Sequence, residues 1–551
     1  MSLSFTHQVF LVTAMRSIAH TQTCRTKTAF FARSFCVFVT VFALLPGTLH
    51  ADVTLPAIIS DNMVLQQNAN ARVWGWADPG EKVSVTLGGQ IVSSVANAER
   101  YWEVMLEPIV SSGPMEMTIA GKNTLTVRNL LVGEVWVGAG QSNMWWPVSR
   151  TSNAGEEISK ANYPKLRLFT VPVQVSRVPL DDIPDPLMPT QPVAPPIAFP
   201  GRWVECSSET IGDFSGVAYY FGRDLHRDLG VPVGMIAMSV GGSVAEAWTS
   251  EESLAKNPVT RRVRDHWDNY EISQYAAKKA EYEKKLAAWK RDSAQPEPAP
   301  PVDPAIYVNR AGSLFNGMVS PVLRFTISGV LWYQGESNAI QGALYSHYLK
   351  AVVTDWQEAW NLGALPFFIV QLPNADPTLF SSVGDNWPAV REAQAEALEI
   401  PGTAMAVTID IGAADDLHPP NKQEVGRRLA RLAEGLVYGK NISYTGPSCQ
   451  SVQVTGNKAR LQFRTGGGGL VAKDGKLVGF RVAGADGRFF DAKAEIAGNN
   501  VVVWSDEVPE PVAVRYAWAN NPRGNLFNEE GFPTGPFRTD DWELAAVGET
   551  P

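Results

Sequence analysis

The sequence predicts an α/β protein: a doubly wound parallel sheet flanked by a β-rich module at each end. Three observations predict it. Between about Leu130 and Lys440, short apolar runs alternate with segments of helical periodicity, the rhythm of strands joined by crossover helices. On both sides of that stretch strand-length alternation dominates. The chain of 551 residues is long enough for about three domains at roughly 150 residues each.

The first fifty residues stand apart. Arg25, Lys27 and Arg33 precede the apolar run from Phe35 to Leu45, and Pro46-Gly47 leads on to Leu49-His50-Ala51. This order reads as a signal peptide over residues 1–51, cleaved near Ala51, so the mature chain is expected to be secreted or periplasmic. The apolar run is too short for a comfortable transmembrane helix, and no other stretch is long and apolar enough to span a bilayer. Cys24 and Cys36 leave with the leader. Cys206 and Cys449 remain, either as one disulfide or as two thiols, and they form no metal-ligand pattern, so neither metal nor cofactor is expected. With 47 basic against 56 acidic residues, a net charge of -9 and no Lys/Arg-rich block, a nucleic-acid partner is excluded and an anionic membrane surface disfavoured.

Residues 52–129 read as a small β-sandwich. Ala71–Trp76 and Lys82–Leu87 alternate as strands, and Asp78-Pro79-Gly80 and Ser112-Gly113-Pro114 mark turns. Residues 130–440 hold the α/β domain, with strands expected at 134–139, 166–171, 233–239, 329–334, 366–372 and 404–410, and helices at 217–229, 344–360, 390–398 and 422–436. Two excursions interrupt it: a proline-rich surface loop over 173–200, and an insertion over 251–305 with a charged helix followed by a Pro-rich tail. Residues 441–551 return to strands and glycine turns as a second β-rich module.

The chemistry concentrates at strand ends. Gly138-Ala139-Gly140-Gln141-Ser142-Asn143-Met144 follows a buried strand, which leaves Ser142 at the carboxyl edge of the sheet, where open α/β sheets place their ligands. A serine nucleophile requires a base near neutral pKa. Of the four histidines of the mature chain, His226, His266 and His347 fall in helical stretches and read as surface or packing residues. His418 lies in Asp415-Asp416-Leu417-His418-Pro419-Pro420, a loop at the same sheet edge as Ser142, and is the candidate base. Three acids could orient it: Asp415 by its D-x-x-H spacing, its neighbour Asp416, and Asp410 at the strand end; the spacing favours Asp415. Donors for an oxyanion are sought in Ser239-Val240-Gly241-Gly242-Ser243 and in Trp332-Tyr333-Gln334-Gly335-Glu336-Ser337-Asn338, which follow two further strands. Glu336 either pairs with an acid such as Asp416, as in a glycosidase, or holds its loop by hydrogen bonding; the second is favoured. Trp145 and Trp146 either stack on a sugar ring or pack beneath the turn.

Together the four loops resemble the sialate O-acetylesterase-like branch of the SGNH (GDSL-like) hydrolases, which also contains acetylesterases of plant polysaccharides. The resemblance rests on Gly140-Gln141-Ser142-Asn143-Met144, Gly241-Gly242-Ser243 with Glu246-Ala247-Trp248, the loop from Trp332 to Asn338, and His418-Pro419 with Asn421-Lys422-Gln423-Glu424. Outside the site, Ser60–Gln67 and Pro536–Asp540 add to it. It implies an SGNH hydrolase domain with Ser142 as nucleophile, His418 as base, and an oxyanion hole from the Ser142 N–H, a glycine of the Gly241-Gly242 pair, with Gly242 taken, and Gln334. It does not decide between Asp415 and Asp416.

The function expected is therefore a secreted carbohydrate O-acetylesterase using a serine acyl-enzyme. An acetylated hemicellulose, xylan or xyloglucan, ranks ahead of acetylated sialic acid, because nothing basic stands out in the sequence to receive a sialate carboxylate. The alternatives from other classes are a non-catalytic carbohydrate-binding protein and an esterase or thioesterase for lipids.

Overall fold

A strand of 17 residues, β1 (Thr124–Gly140), organises the molecule. A computed structural model describes residues 52–111, 113–184, 199–291, 296–380 and 386–543. The expected signal peptide over residues 1–51 and the middle of the proline-rich loop lie outside the described residues. The first half of β1 pairs antiparallel with Met115–Ala120 in the N-terminal β-rich module, and its second half is the middle strand of a parallel sheet. A register shift between Met115 and Met117, opposite Asn129 at φ +56°, bends the strand where the two settings meet. The boundary expected after residue 129 thus falls inside one continuous strand.

The central sheet continues with β2 (Asn162–Thr170), β3 (Trp203–Ser207), β4 (Val233–Ser239), β5 (Gly329–Tyr333), β6 (Phe367–Val370) and β7 (Thr403–Ala406). Its order is β7-β6-β5-β1-β4-β2-β3. All neighbours are parallel except the edge pair β2–β3. Strand order reverses around β1, the topological position at which such sheets open a crevice.

Side chains alternate across this sheet as the pleat requires. Val135, Val137, Val330, Trp332, Phe367 and Ile369 join one apolar cluster, whereas Trp136, Leu331, Tyr333, Phe368 and Val370 join another. Helices α2 (Gly216–Leu229) and α5 (Lys422–Leu436) cover the second face. Helices α3 (Tyr345–Trp360) and α4 (Trp387–Glu396) cover the first. Each large apolar side chain buried this way contributes about 1.5–3 kcal/mol, which is why strands buried on both faces read as unbroken apolar runs.

The insertion is helical over Glu251–Lys256, Pro258–Asn269 and Tyr275–Trp289. The C-terminal module contains two four-stranded sheets, one including Ser448–Thr455 and the other Ala513–Tyr516, around its own apolar cluster. Arg391 of α4 joins it to the central domain: the guanidinium donates to Leu372 O at 2.9 Å and to Ala519 O and Asn520 O at 2.7 and 2.8 Å. Cys206 and Cys449 are free thiols, the first buried in the central domain and the second partly exposed in the C-terminal module.

Candidate active site

Register places three loops at one level. Gly140 at the end of β1 lies opposite Ser239 of β4 and Tyr333 of β5, so the segments after all three strands emerge together. The close approach explains one glycine: Gly140 has φ +139°, and a Cβ there would stand 2.2 Å from the Tyr333 carbonyl oxygen.

Ser142 is the first residue of a one-turn helix, α1 (Ser142–Trp145), so its N–H has no partner within the helix. The residues around it anchor the turn. Gln141 donates its N–H to Tyr333 O at 3.0 Å, and its Oε1 accepts from the N–H groups of Gly335 and Ser337 at 3.2 and 3.3 Å. Ser215 donates its hydroxyl to Met144 O at 2.5 Å and accepts the Ala218 N–H, which caps α2 against α1. Gly241 lies beside the serine, since a Cβ on it would stand 3.8 Å from Ser142 Cβ. Gly242 has a left-handed φ of +72°. Among the described residues the N–H groups of Gly241 and Gly242 have no acceptor. Asn309 steadies this loop, donating to Gly242 O at 3.0 Å and accepting the Val244 N–H at 3.1 Å.

Beneath the serine is a buried polar chain. Asn143 Nδ2 donates to Glu336 Oε1 at 2.5 Å and to Leu417 O at 3.0 Å, while Lys422 Nζ donates to Asn143 Oδ1. Burial pulls the Lys422 ammonium down to about 7, with Glu336 and Asp416 opposing the shift. Burial likewise raises the Glu336 carboxyl above the usual carboxylate range. The two buried ionisable groups are bridged by the Asn143 amide between them. Glu336 is therefore enclosed, with Oε2 lacking any hydrogen-bond partner among the described residues, rather than paired with a second acid across an open cleft.

His418 is half-buried, and its ring stacks on Trp146 with centroids 4.6 Å apart and planes 10° from parallel. Its Nε2 is buried without a hydrogen-bond partner among the described residues. Burial lowers its pKa below the ordinary imidazole value, Lys422 and Arg150 add to that effect, and Asp416 opposes it, which favours the neutral form of the ring. The other histidines are engaged elsewhere: His226 Nδ1 bonds the Val231 carbonyl, His266 packs edge-on to Trp267, and His347 lies beside Asn257.

The structure does not bring every expected residue to the serine. Asp415 is exposed and makes no hydrogen bond to the imidazole; its side chain leaves the loop on the solvent side. Asp410 is held by Arg428 at 2.6 and 2.7 Å. Asp416 is nearer in effect, but its Oδ1 accepts the backbone N–H of His418 at 2.8 Å and so shapes the loop. Gln334 spends both amide hydrogens inward, on Ser243 O at 3.1 Å and Asn338 Oδ1 at 2.7 Å, which leaves none for an oxyanion. Asn338 in turn donates to the buried Glu246 at 2.8 Å. Trp146 supports His418 instead of offering that face to a sugar, and Trp145 is half-buried beside Arg150.

These features define a class: a parallel α/β protein whose polar site, with a serine and a neutral histidine, opens at the carboxyl edge of the sheet. A family model for "Carbohydrate esterase, sialic acid-specific acetylesterase" matches residues 304–434. The sialate O-acetylesterases of Homo sapiens and Mus musculus are 32% and 31% identical over 443 and 444 residues, 74% of this chain in each case and 75% and 77% of theirs. A carbohydrate acetylesterase from Xanthomonas citri superposes with a TM-score of 0.75 at 33% identity, over 89% of this chain and 100% of that one. The chain belongs to the sialate O-acetylesterase-like family of carbohydrate esterases, and it is an acetylesterase, a carboxylic ester hydrolase.

Proposed function

We propose that the protein removes O-acetyl groups from a sialic acid through a serine acyl-enzyme in an SGNH-type domain, and that it does so outside the cytoplasm. The observation that carries the chemistry is the buried, partnerless Nε2 of His418 at the same sheet edge as Ser142 and the unspent N–H groups of Gly241 and Gly242. Ser142 Oγ attacks the acetyl carbonyl carbon while His418 takes the hydroxyl proton. The carbonyl oxygen becomes an oxyanion and is received by the N–H groups of Ser142 and of Gly241 or Gly242. Collapse breaks the bond to the sugar oxygen, which leaves with the proton from His418. Water then attacks the acetyl-serine, giving its proton to His418, and acetate departs as Ser142 regains a proton.

The substrate reading reverses the order set by the sequence. Both mammalian relatives are named for sialate, and a cation, Arg150, does lie at the site. A hemicellulose ranks second; the similarity to the Xanthomonas carbohydrate acetylesterase supports an acetylated carbohydrate without choosing between the two. The test is acetate release from O-acetyl sialic acid, acetylated xylan and an acyl-length series of simple esters. The sialate is expected to be turned over fastest, and Ser142→Ala should lower the rate by about 10⁴-fold or more. Full acetate release by Ser142→Ala would refute the mechanism; glycan binding without acetate release would make the protein a binding module, and a preference for long acyl chains a lipid esterase.

A further inference from the structure

We propose that Arg150 is the receptor for a sugar carboxylate and selects acidic over neutral acetylated sugars at this site. The inference rests on the sialate reading above and gives it a residue.

Arg150 ends the short turn Val148–Arg150 that follows the serine helix. Its backbone is fixed at both ends: the N–H donates to Pro147 O at 3.0 Å, and the carbonyl accepts from Trp146 Nε1 at 3.0 Å. The guanidinium lies over the two tryptophans, 5.5 Å from the ring centroid of Trp146 and 5.8 Å from that of Trp145. Trp146 is also the ring on which His418 stacks, so the cation and the candidate base share one indole.

What matters for this arginine is its place beside the histidine's indole together with an unneutralised charge. Arg223, Arg310, Arg428, Arg515 and Arg538 each bind a carboxylate. Arg150 is exposed and, among the described residues, pairs with none. Its planar fork, oriented by the aromatic shelf but unspent, matches a carboxylate in two parallel hydrogen bonds. A sialic acid carries its carboxylate and its acetylated hydroxyl on one sugar unit, so the two ends meet Arg150 and Ser142 together. A neutral xylose or glucose unit offers nothing to the fork. Binding would also tune the base: Arg150 helps hold the free imidazole below its ordinary pKa, and a carboxylate on the guanidinium would cancel that pull, strengthening His418 when substrate is present.

The experiment compares substrates that differ by one charge, an O-acetyl sialic acid and its carboxyl methyl ester. In the native protein kcat/KM should favour the acid by roughly tenfold, the size of one charge-assisted contact. In Arg150→Gln the acid-to-ester ratio should fall to near one, and in Arg150→Lys it should lie between. Each ratio is taken within one sample, so any loss of folded protein cancels. A native ratio near one, or a ratio unchanged in Arg150→Gln, overturns the assignment while acetate release keeps the sialate reading in place. Release from acetylated xylan but from neither sialate form defeats the sialate reading, and the role of Arg150 with it. An acetylated uronic acid serves as the third arm: turnover of that acid above the sialate would assign the same fork to a different acidic sugar and overturn the sialate part of the proposal.

Discussion

The turn that carries Ser142 and the loop that carries His418 meet at one sheet edge but are held in different ways. The turn is fastened on every side by buried hydrogen bonds: Gln141 to the β5 loop, Asn143 to Glu336 and Lys422, Met144 to Ser215. The loop that carries His418 is half exposed. It is fixed by the Asp416 carboxylate on its own backbone, by the Trp146 stack, and by Asn374, which accepts the Gly412 N–H at 2.9 Å and donates to Asn521 of the C-terminal module at 3.0 Å. The serine is positioned by buried, hydrogen-bonded polar groups, the imidazole by packing and a short local cap. Damage to the first should therefore cost stability, and damage to the second should cost turnover.

The largest effect on folding is expected where the turn is charged. Lys422→Met leaves Asn143 Oδ1 buried without its donor and Glu336 without its neighbouring cation, and should destabilise the protein by about 3 kcal/mol or more in urea unfolding. Glu336→Gln keeps an acceptor for Asn143 and should cost less. The double variant should be more stable than the sum of the two losses, because the groups share one network. Strict additivity would show that Asn143 does not couple them.

The loop should fail differently. Trp146→Ala removes the surface on which His418 rests while leaving the buried chain under Ser142 intact. A drop of roughly 10–100-fold in kcat with little change in urea midpoint is expected, since a small misplacement of a catalytic group carries a penalty of this size. An equal loss in KM alone would mean that Trp146 binds sugar and does not orient the base.

Much of this architecture is legible in the sequence because strands buried on both faces leave uninterrupted apolar runs. The strand Val233–Ser239 and the helix Lys422–Leu436 fall at the expected residues. The strand expected over 404–410 stops at Ala406, since Asp410 turns away to pair with Arg428. The edge strand β3 was not foreseen: it follows the proline-rich stretch, and only its pairing with β2 makes it a strand. At the site, strand ends gather Ser142, Gly241, Gly242 and His418 from motifs far apart in the chain. Side-chain direction is what linear spacing does not carry. Gln334 and Asn338 sit on the right loop and point inward, and Asp415 has the right spacing and points outward. Lys422, Asn309 and Arg150 gain their significance only through partners distant in sequence or, for Arg150, through folding back over Trp146.

The smallest effects separate the two acids of the histidine loop. The His418 pKa lies below its ordinary value, so the neutral base persists as pH falls, and the acid limb of kcat/KM should lie below about 6.5. Asp416 is the one neighbouring charge that raises this pKa. In Asp416→Asn the amide oxygen still accepts the His418 N–H, but the charge is gone, so the limb should move to lower pH with the maximal rate nearly retained. Lys422→Met, by removing a charge that lowers the pKa, should move the limb the opposite way. Asp415→Asn should leave both limb and rate within error, because the carboxylate faces solvent and makes no contact with the ring. If Asp415→Asn instead lowers kcat by the several orders of magnitude typical of a triad acid, the loop must rearrange in the substrate complex to bring Asp415 to Nδ1, and the base would then be held by a carboxylate after all.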